Sequence, residues 1–226
     1  MKHTTAILLF AEHPFVEAIR KPLCSRKQQN STVFSVLNRK MKQVANATEL
    51  PVFDYLCTKN SDSFGSELTT AVSQLFAKGF EKIICIGNDC PAITTELLIQ
   101  VASQLKDNNT VLGGDHRGGA YLIGLSRASF DAIAFQQLPW LTSRLFSALS
   151  THYENARLLA FLPDIHTAKD LRIYSFWQPR LAALIRLLVQ LLQSPFRDLG
   201  VLESNYFAPI FIFRSLRAPP RLRSFS

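Results

Sequence analysis

The sequence predicts an α/β fold: a three-layer αβα sandwich around a mainly parallel sheet. Two observations predict it. Short apolar runs alternate with longer stretches of helical periodicity, which is the pattern of βαβ units. The composition, 47% hydrophobic and 19% charged over 226 residues, is that of a globular chain able to bury a large core.

The first apolar run, Ala6–Phe10, reads as a buried strand, and no small-residue cleavage site follows it, so a signal peptide is not expected. Ser31 can cap a helix with apolar positions Val33, Phe34, Leu37, Met41 and Val44. Val52–Leu56 reads as a second buried strand. A helix then starts near Ser63 or Phe64, runs through Leu68, Val72, Leu75 and Phe76, and stops at Lys78-Gly79. Lys82–Ile86 is the third strand. After Pro91, Thr94 or Thr95 caps a helix whose inner face is Leu97, Leu98, Val101 and Leu105. Thr110–Leu112 and Ala120–Leu125 complete the strands, and Tyr121, Phe130 and Phe135 read as core. Trp140 after Pro139 reads as the anchor of a loop.

Past residue 172 the texture changes. Residues 1–172 form the expected α/β domain, and 173–226 a basic, largely helical extension. The net charge of +8 looks at first like a nucleic-acid signature. Residues 172–226, however, hold eight arginines against Asp198 and Glu203, a net +6, which leaves +2 for residues 1–171. The basicity belongs to the extension, so the body needs no nucleic acid. Leu181–Leu192 is almost continuously apolar, and the run 207–213 and an Arg-rich end follow. A helix packing on the body or on a second subunit is favoured over contact with an anionic membrane surface, because Arg186 alone makes a narrow polar face. No apolar run reaches the roughly 18 residues of a membrane span. Cys24, Cys57, Cys85 and Cys90 show neither CxxC pairing nor zinc-finger spacing, so reduced thiols and a cytoplasmic location are expected.

Three segments carry chemistry. In Ile86-Gly87-Asn88-Asp89-Cys90-Pro91 an acidic residue sits where a strand gives out. A hard divalent cation on a diphosphate wants a carboxylate there, and an Asx-turn ahead of Pro91 is the other reading. In Gly113-Gly114-Asp115-His116-Arg117-Gly118-Gly119, glycine pairs flank a charged triplet, which suits close approach of a ligand or a tight hairpin. In Asp164-Ile165-His166-Thr167-Ala168-Lys169-Asp170, Thr167 and Asp170 have capping-box spacing, and His166 reads as a ligand contact or a turn histidine.

Taken in this order, with Phe64-Gly65 and Leu138-Pro139-Trp140, these segments over residues 5–172 resemble a bacterial family of GT-A-like transferases, domain of unknown function 2064. The resemblance implies a nucleotide-diphospho-sugar transferase fold and a nucleotide-sugar or nucleotide ligand. It also implies a divalent metal, Mg²⁺ or Mn²⁺, on Asp89. Asp115 or Asp164 would serve as general base. Arg20, Lys21, Asn88, Arg117, Gly118, Gly119 and His166 would contact the substrate. The chain departs from the family pattern at four places. Arg117 stands where an Asp precedes the Gly-Gly pair, and His166 replaces the second Asp of Asp-x-Asp-Thr. Glu67 replaces an Arg, and residues 12–21 lack the phosphate-binding glycines. The expected activity is glycosyl transfer from a nucleotide-diphosphate sugar. The alternatives are nucleotidyl transfer to a phosphorylated acceptor, against which the missing glycines count, and a catalytically inactive binding or scaffold protein.

Overall fold

The computed structural model describes residues 4–57, 64–107, 109–177 and 179–193. Six strands form one sheet: β1 (Thr5–Glu12), β2 (Val52–Cys57), β3 (Lys82–Ile86), β4 (Thr110–Gly114), β5 (Ala120–Ser126) and β6 (Arg157–Leu158), in the order β2-β1-β3-β5-β4-β6. β1 pairs in parallel with β2 and β3, and β4 with β6. β5 alone runs the other way, antiparallel to both β3 and β4. The sheet is therefore mainly parallel. β1, β3, β4 and β5 are buried along nearly their whole length, whereas β2, read from the sequence as buried, lies at the sheet edge and leaves Asp54 and Leu56 exposed.

The pleat distributes apolar residues to two layers. From β1, Ile7 and Leu9 point to the face covered by α2 (Lys27–Asn46) and α4 (Thr95–Asp107). Leu8 and Phe10 point to the face covered by α3 (Phe64–Ala77), α5 (Ala132–Gln136) and α6 (Leu145–His152). This is the three-layer αβα sandwich the alternation predicts. Tyr121 and Phe135 are buried and Phe130 packs against the core, as expected.

Two helix starts differ from expectation. α2 begins at Lys27, not at Ser31: the buried face extends through Gln29 and Asn30, and the Asn30 side chain bonds the Cys24 main chain, accepting from its N at 3.0 Å and donating to its O at 2.9 Å; Ser31 lies inside the helix. Residues 14–20, for which no element is expected from the sequence, form a helix, α1 (Pro14–Arg20). Pro14 sits in its first turn, where no N–H is needed, and His13 Nδ1 accepts from Phe15 N at 3.4 Å. The α4 start is as predicted: Thr94 Oγ1 accepts from Leu97 N at 3.2 Å.

A third apolar cluster lies outside α2. Val33, Phe34 and Leu37 pack with Ala18 of α1, with Leu171 and Tyr174 of α7 (Ala168–Trp177), and with Ile185 and Leu188 of α8 (Ala182–Gln193). Burying Phe34 alone contributes roughly 1.5–3 kcal/mol. These residues belong to one compact unit, Met1–Ser194. The rest of the expected extension, with its run 207–213 and Arg-rich end, lies outside the described residues. No helix among the described residues is long and apolar enough to cross a membrane. The four cysteines are free thiols.

Candidate active site

A cavity of about 310 Å³ opens where β1, β3 and β4 end, at the carboxyl edge of the sheet. That is the ligand position expected of an open α/β sheet, and the volume is near the lower end of the roughly 300–1,000 Å³ of small-molecule sites. Five carboxylates line it (Glu12, Glu17, Asp89, Asp115 and Asp164) against three fixed cations, Arg20, Lys21 and Arg117.

Asp89 follows β3 by three residues. Its backbone carbonyl accepts from Ile165 N at 2.8 Å, which ties the loop bearing Asp164 and His166 to the end of β3. One ligand atom each from Asp89, Asp164 and His166 lies within 4.8 Å of the others. His166 Nε2 is 2.5 Å from Asp164 Oδ2 and 3.9 Å from Asp89 Oδ2. Two oxygens and one imidazole nitrogen can hold a divalent cation that still has open positions for a substrate.

Lys21, the residue after α1, is buried and donates from Nζ to Glu17 Oε1 at 3.2 Å and to Asp89 Oδ2. Asn88 Nδ2 donates to the other Glu17 oxygen at 2.6 Å. Burial works to lower the Lys21 ammonium, but Asp89 and Glu17 outweigh it and raise it above its ordinary value. Burial also works to raise Asp89, and Lys21 with His166 overcomes it, so Asp89 is held below the usual carboxylate range. At Glu17 burial prevails over Lys21 and the carboxyl is pushed up.

Arg117, also on the cavity wall, forks between Asp164 Oδ1 at 3.1 Å and Asp170 Oδ1 at 2.7 Å. Asp170 Oδ2 accepts from His166 N at 2.9 Å and Thr167 N at 2.6 Å, so one carboxylate both caps α7 and places Arg117. Asp115 is fixed through Oδ1 by Arg117 N at 2.6 Å and Gly119 N at 2.9 Å. Burial, with Asp164 adding, pushes its carboxyl above the ordinary value.

The structure thus brings nine of the ten residues expected at the site to the cavity wall: Arg20, Lys21, Asn88, Asp89, Arg117, Gly119, Asp115, Asp164 and His166. Gly118 is not among them. It makes the turn beside the wall, with φ +85°, and a Cβ there would sit 1.9 Å from the Ser143 carbonyl oxygen. Arg20 reaches Glu12 Oε2 at 2.7 Å. Glu12 and Glu17 were not anticipated. The signal that could have found them is Pro14, which marks residues 14–20 as a helix start. Trp140 lines the cavity and is anchored by Nε1 on Phe135 O at 3.0 Å.

Residues 23–142, more than half of the chain, match a family described as uncharacterized proteins conserved in bacteria, domain of unknown function 2064. The chain belongs to this family. Asp89, Asp115 and Arg117 fall within the match, and Asp164 and His166 beyond it. A candidate nucleotide-diphospho-sugar transferase of Desulfovibrio desulfuricans G20 shares the fold. Its TM-score is 0.68 at 17% identity, over 83% of this chain and 99% of that one. A Mycobacterium sp. strain JC1 homolog of a Mycobacterium tuberculosis protein matches with TM-score 0.48 at 14% identity, over 83% and 100%. A Mycobacterium tuberculosis H37Rv protein, solved as a complex with manganese, matches with TM-score 0.44 at 15% identity, over 75% and 96%. No curated protein matches the sequence. The fold of this family member is the GT-A-like, nucleotide-diphospho-sugar transferase fold.

Proposed function

We propose that this protein is a metal-assisted transferase acting on a nucleotide-diphosphate sugar. The observation that carries the reading is the convergence of Asp89, Asp164 and His166 on one point of a cavity where carboxylates outnumber fixed cations. A diphosphate entering such a cleft alone would meet net repulsion, and a divalent cation removes it. The residues fit that ion: Asp89 and Asp164 supply hard oxygens, and His166 a nitrogen that Mn²⁺ accepts more readily than Mg²⁺. When bound, the metal supplies Lewis-acid stabilisation of the leaving diphosphate.

The chain's own residues do the rest. Lys21, Arg117 and Arg20 all line the cavity and would meet the phosphates of a diphosphate there. Asp115 is the better candidate for general base, because Asp164 is already engaged by Arg117 and His166. Its raised pKa strengthens it as a proton acceptor, and two backbone amides fix its aim. Trp140, with Phe10 and Phe64, gives the cavity an apolar wall suited to a base or sugar face.

The test is calorimetric titration of UDP- and GDP-sugars into the full-length protein with and without Mn²⁺. Metal-dependent binding that is lost in Asp89→Ala supports the reading. Absence of binding under every condition removes the enzyme reading and leaves a scaffold. With a phosphorylated acceptor present, release of pyrophosphate in place of a nucleoside diphosphate would identify nucleotidyl transfer.

A further inference from the structure

Each fixed cation lining the cavity is engaged by a carboxylate of the protein itself. Arg20 is held by Glu12, Lys21 by Glu17 and Asp89, and Arg117 by Asp164 and Asp170. Two of those carboxylates, Asp89 and Asp164, are metal donors of the proposed site. The groups that would bind a metal and the groups that would bind phosphate are therefore paired with one another.

We propose that Lys21 and Arg117 are internal counter-ions, holding Asp89 and Asp164 until a divalent cation and a diphosphate enter together and exchange partners with them. In that exchange Asp89 and Asp164 would be freed to hold the metal, and the Lys21 ammonium and Arg117 guanidinium would turn to phosphate oxygens. This rests on the metal–diphosphate reading above and adds an order of events to it.

The physical argument is one of stranded charge. The Lys21 side chain is 5% exposed, so a metal that displaced it from Asp89 with no anion present would leave a buried ammonium short of a partner. A diphosphate arriving alone would have to draw Lys21 away from Asp89 and Glu17, stranding carboxylates in its place. When both arrive, each charge leaves one partner and gains another. Metal and diphosphate then raise each other's affinity by the same factor. Arg117 obeys the same logic more weakly, because its side chain is 44% exposed and water can compensate it.

The experiment follows binding of Mn²⁺ by the full-length protein through loss of the free-ion electron paramagnetic resonance signal, with and without inorganic pyrophosphate. Wild type, Lys21→Met and Arg117→Leu are compared. Lys21→Met is expected to bind Mn²⁺ alone about tenfold more tightly than wild type, within the roughly 5–150-fold range of such couplings. The enhancement by pyrophosphate should shrink in that variant. Arg117→Leu should shift the same way by less. A merely structural role for either residue would weaken Mn²⁺ binding, so the sign of the change decides. If Lys21→Met does not fold, as judged by circular dichroism, the half-exposed Arg117→Leu decides alone. Unchanged or weaker binding of Mn²⁺ by the folded variants in the absence of pyrophosphate overturns the exchange and leaves the metal site standing. No binding of Mn²⁺ by any protein in either condition overturns the metal site and the exchange with it.

Discussion

Replacing Asp170 by Ala is expected to cost about 3 kcal/mol of folding free energy while leaving the cavity wall otherwise intact. The carboxylate has four hydrogen-bond partners in the structure. It accepts from His166 N, Thr167 N and Thr167 Oγ1 at the start of α7, and it holds Arg117. Loss of an N-terminal cap costs about 1 kcal/mol. The two main-chain amides would each cost roughly 1–3 kcal/mol if left without partners. His166 is partly exposed, so water recovers part of that second cost. The Arg117 contact, on a side chain that is 44% exposed, adds less than about 1 kcal/mol. Asp170→Asn keeps an acceptor oxygen and should lose only about 1 kcal/mol. Burial works to raise the Asp170 pKa, but Arg117 and the amides prevail and hold it below 3.8. A depressed carboxylate stabilises the fold above its unfolded value and loses that contribution as pH falls through the folded one. The difference between wild type and Asp170→Ala should therefore be full at pH 7 and shrink below pH 3.8. Urea unfolding at several pH values, at constant m, measures it. A loss at pH 7 smaller than about 0.5 kcal/mol would refute this account of how α7 starts.

Three further outcomes are expected. His166→Asp should lower the preference for Mn²⁺ over Mg²⁺ by roughly tenfold in competition binding, since it exchanges an imidazole for a hard oxygen donor; an unchanged ratio removes His166 from the ligand set. Asp115→Asn should raise the melting temperature at pH 7. The raised Asp115 pKa means stability falls as pH rises from 3.8 through its folded value, so the gain should fade toward pH 3.8; a constant gain at all pH values would contradict this. Leu188→Ala, at a fully buried position of α8, should cost about 2–4 kcal/mol in chemical denaturation, and a neutral result would argue against the packing of α8 on α2.

Strands were the most legible part of the fold. Ala6–Phe10, Lys82–Ile86, Thr110–Leu112 and Ala120–Leu125 stand out because strands buried on both faces are runs of apolar residues; Val52–Leu56, at the sheet edge, stands out by its β-branched and aromatic residues although it is only partly covered. The observed strands extend these runs by at most two residues at either end. Helix starts were less so. Ser31 is a good capping residue by type, yet α2 begins four residues before it and its buried face already includes Gln29 and Asn30, so packing overrode the local preference. At the site, Asp89, Asp115 and Asp164 could be proposed from their places at strand ends and beside a helix start. Their electrostatic partners could not. Lys21 meets Asp89 across 68 residues of sequence, and Arg117 meets Asp170 across 53. Such pairings are products of topology, which no local pattern encodes.

The amide of Ile165 bonded to the carbonyl of Asp89 has a consequence for how the site tolerates change. It is a stitch of main chain to main chain, so almost any side-chain substitution in the cleft leaves it in place. It fixes the distance between the main chain bearing Asp89 and the main chain bearing Asp164 and His166. Only proline at position 165, which deletes the N–H, unpicks it, and Ile165→Pro should scatter the three donors even where each of their side chains is still present.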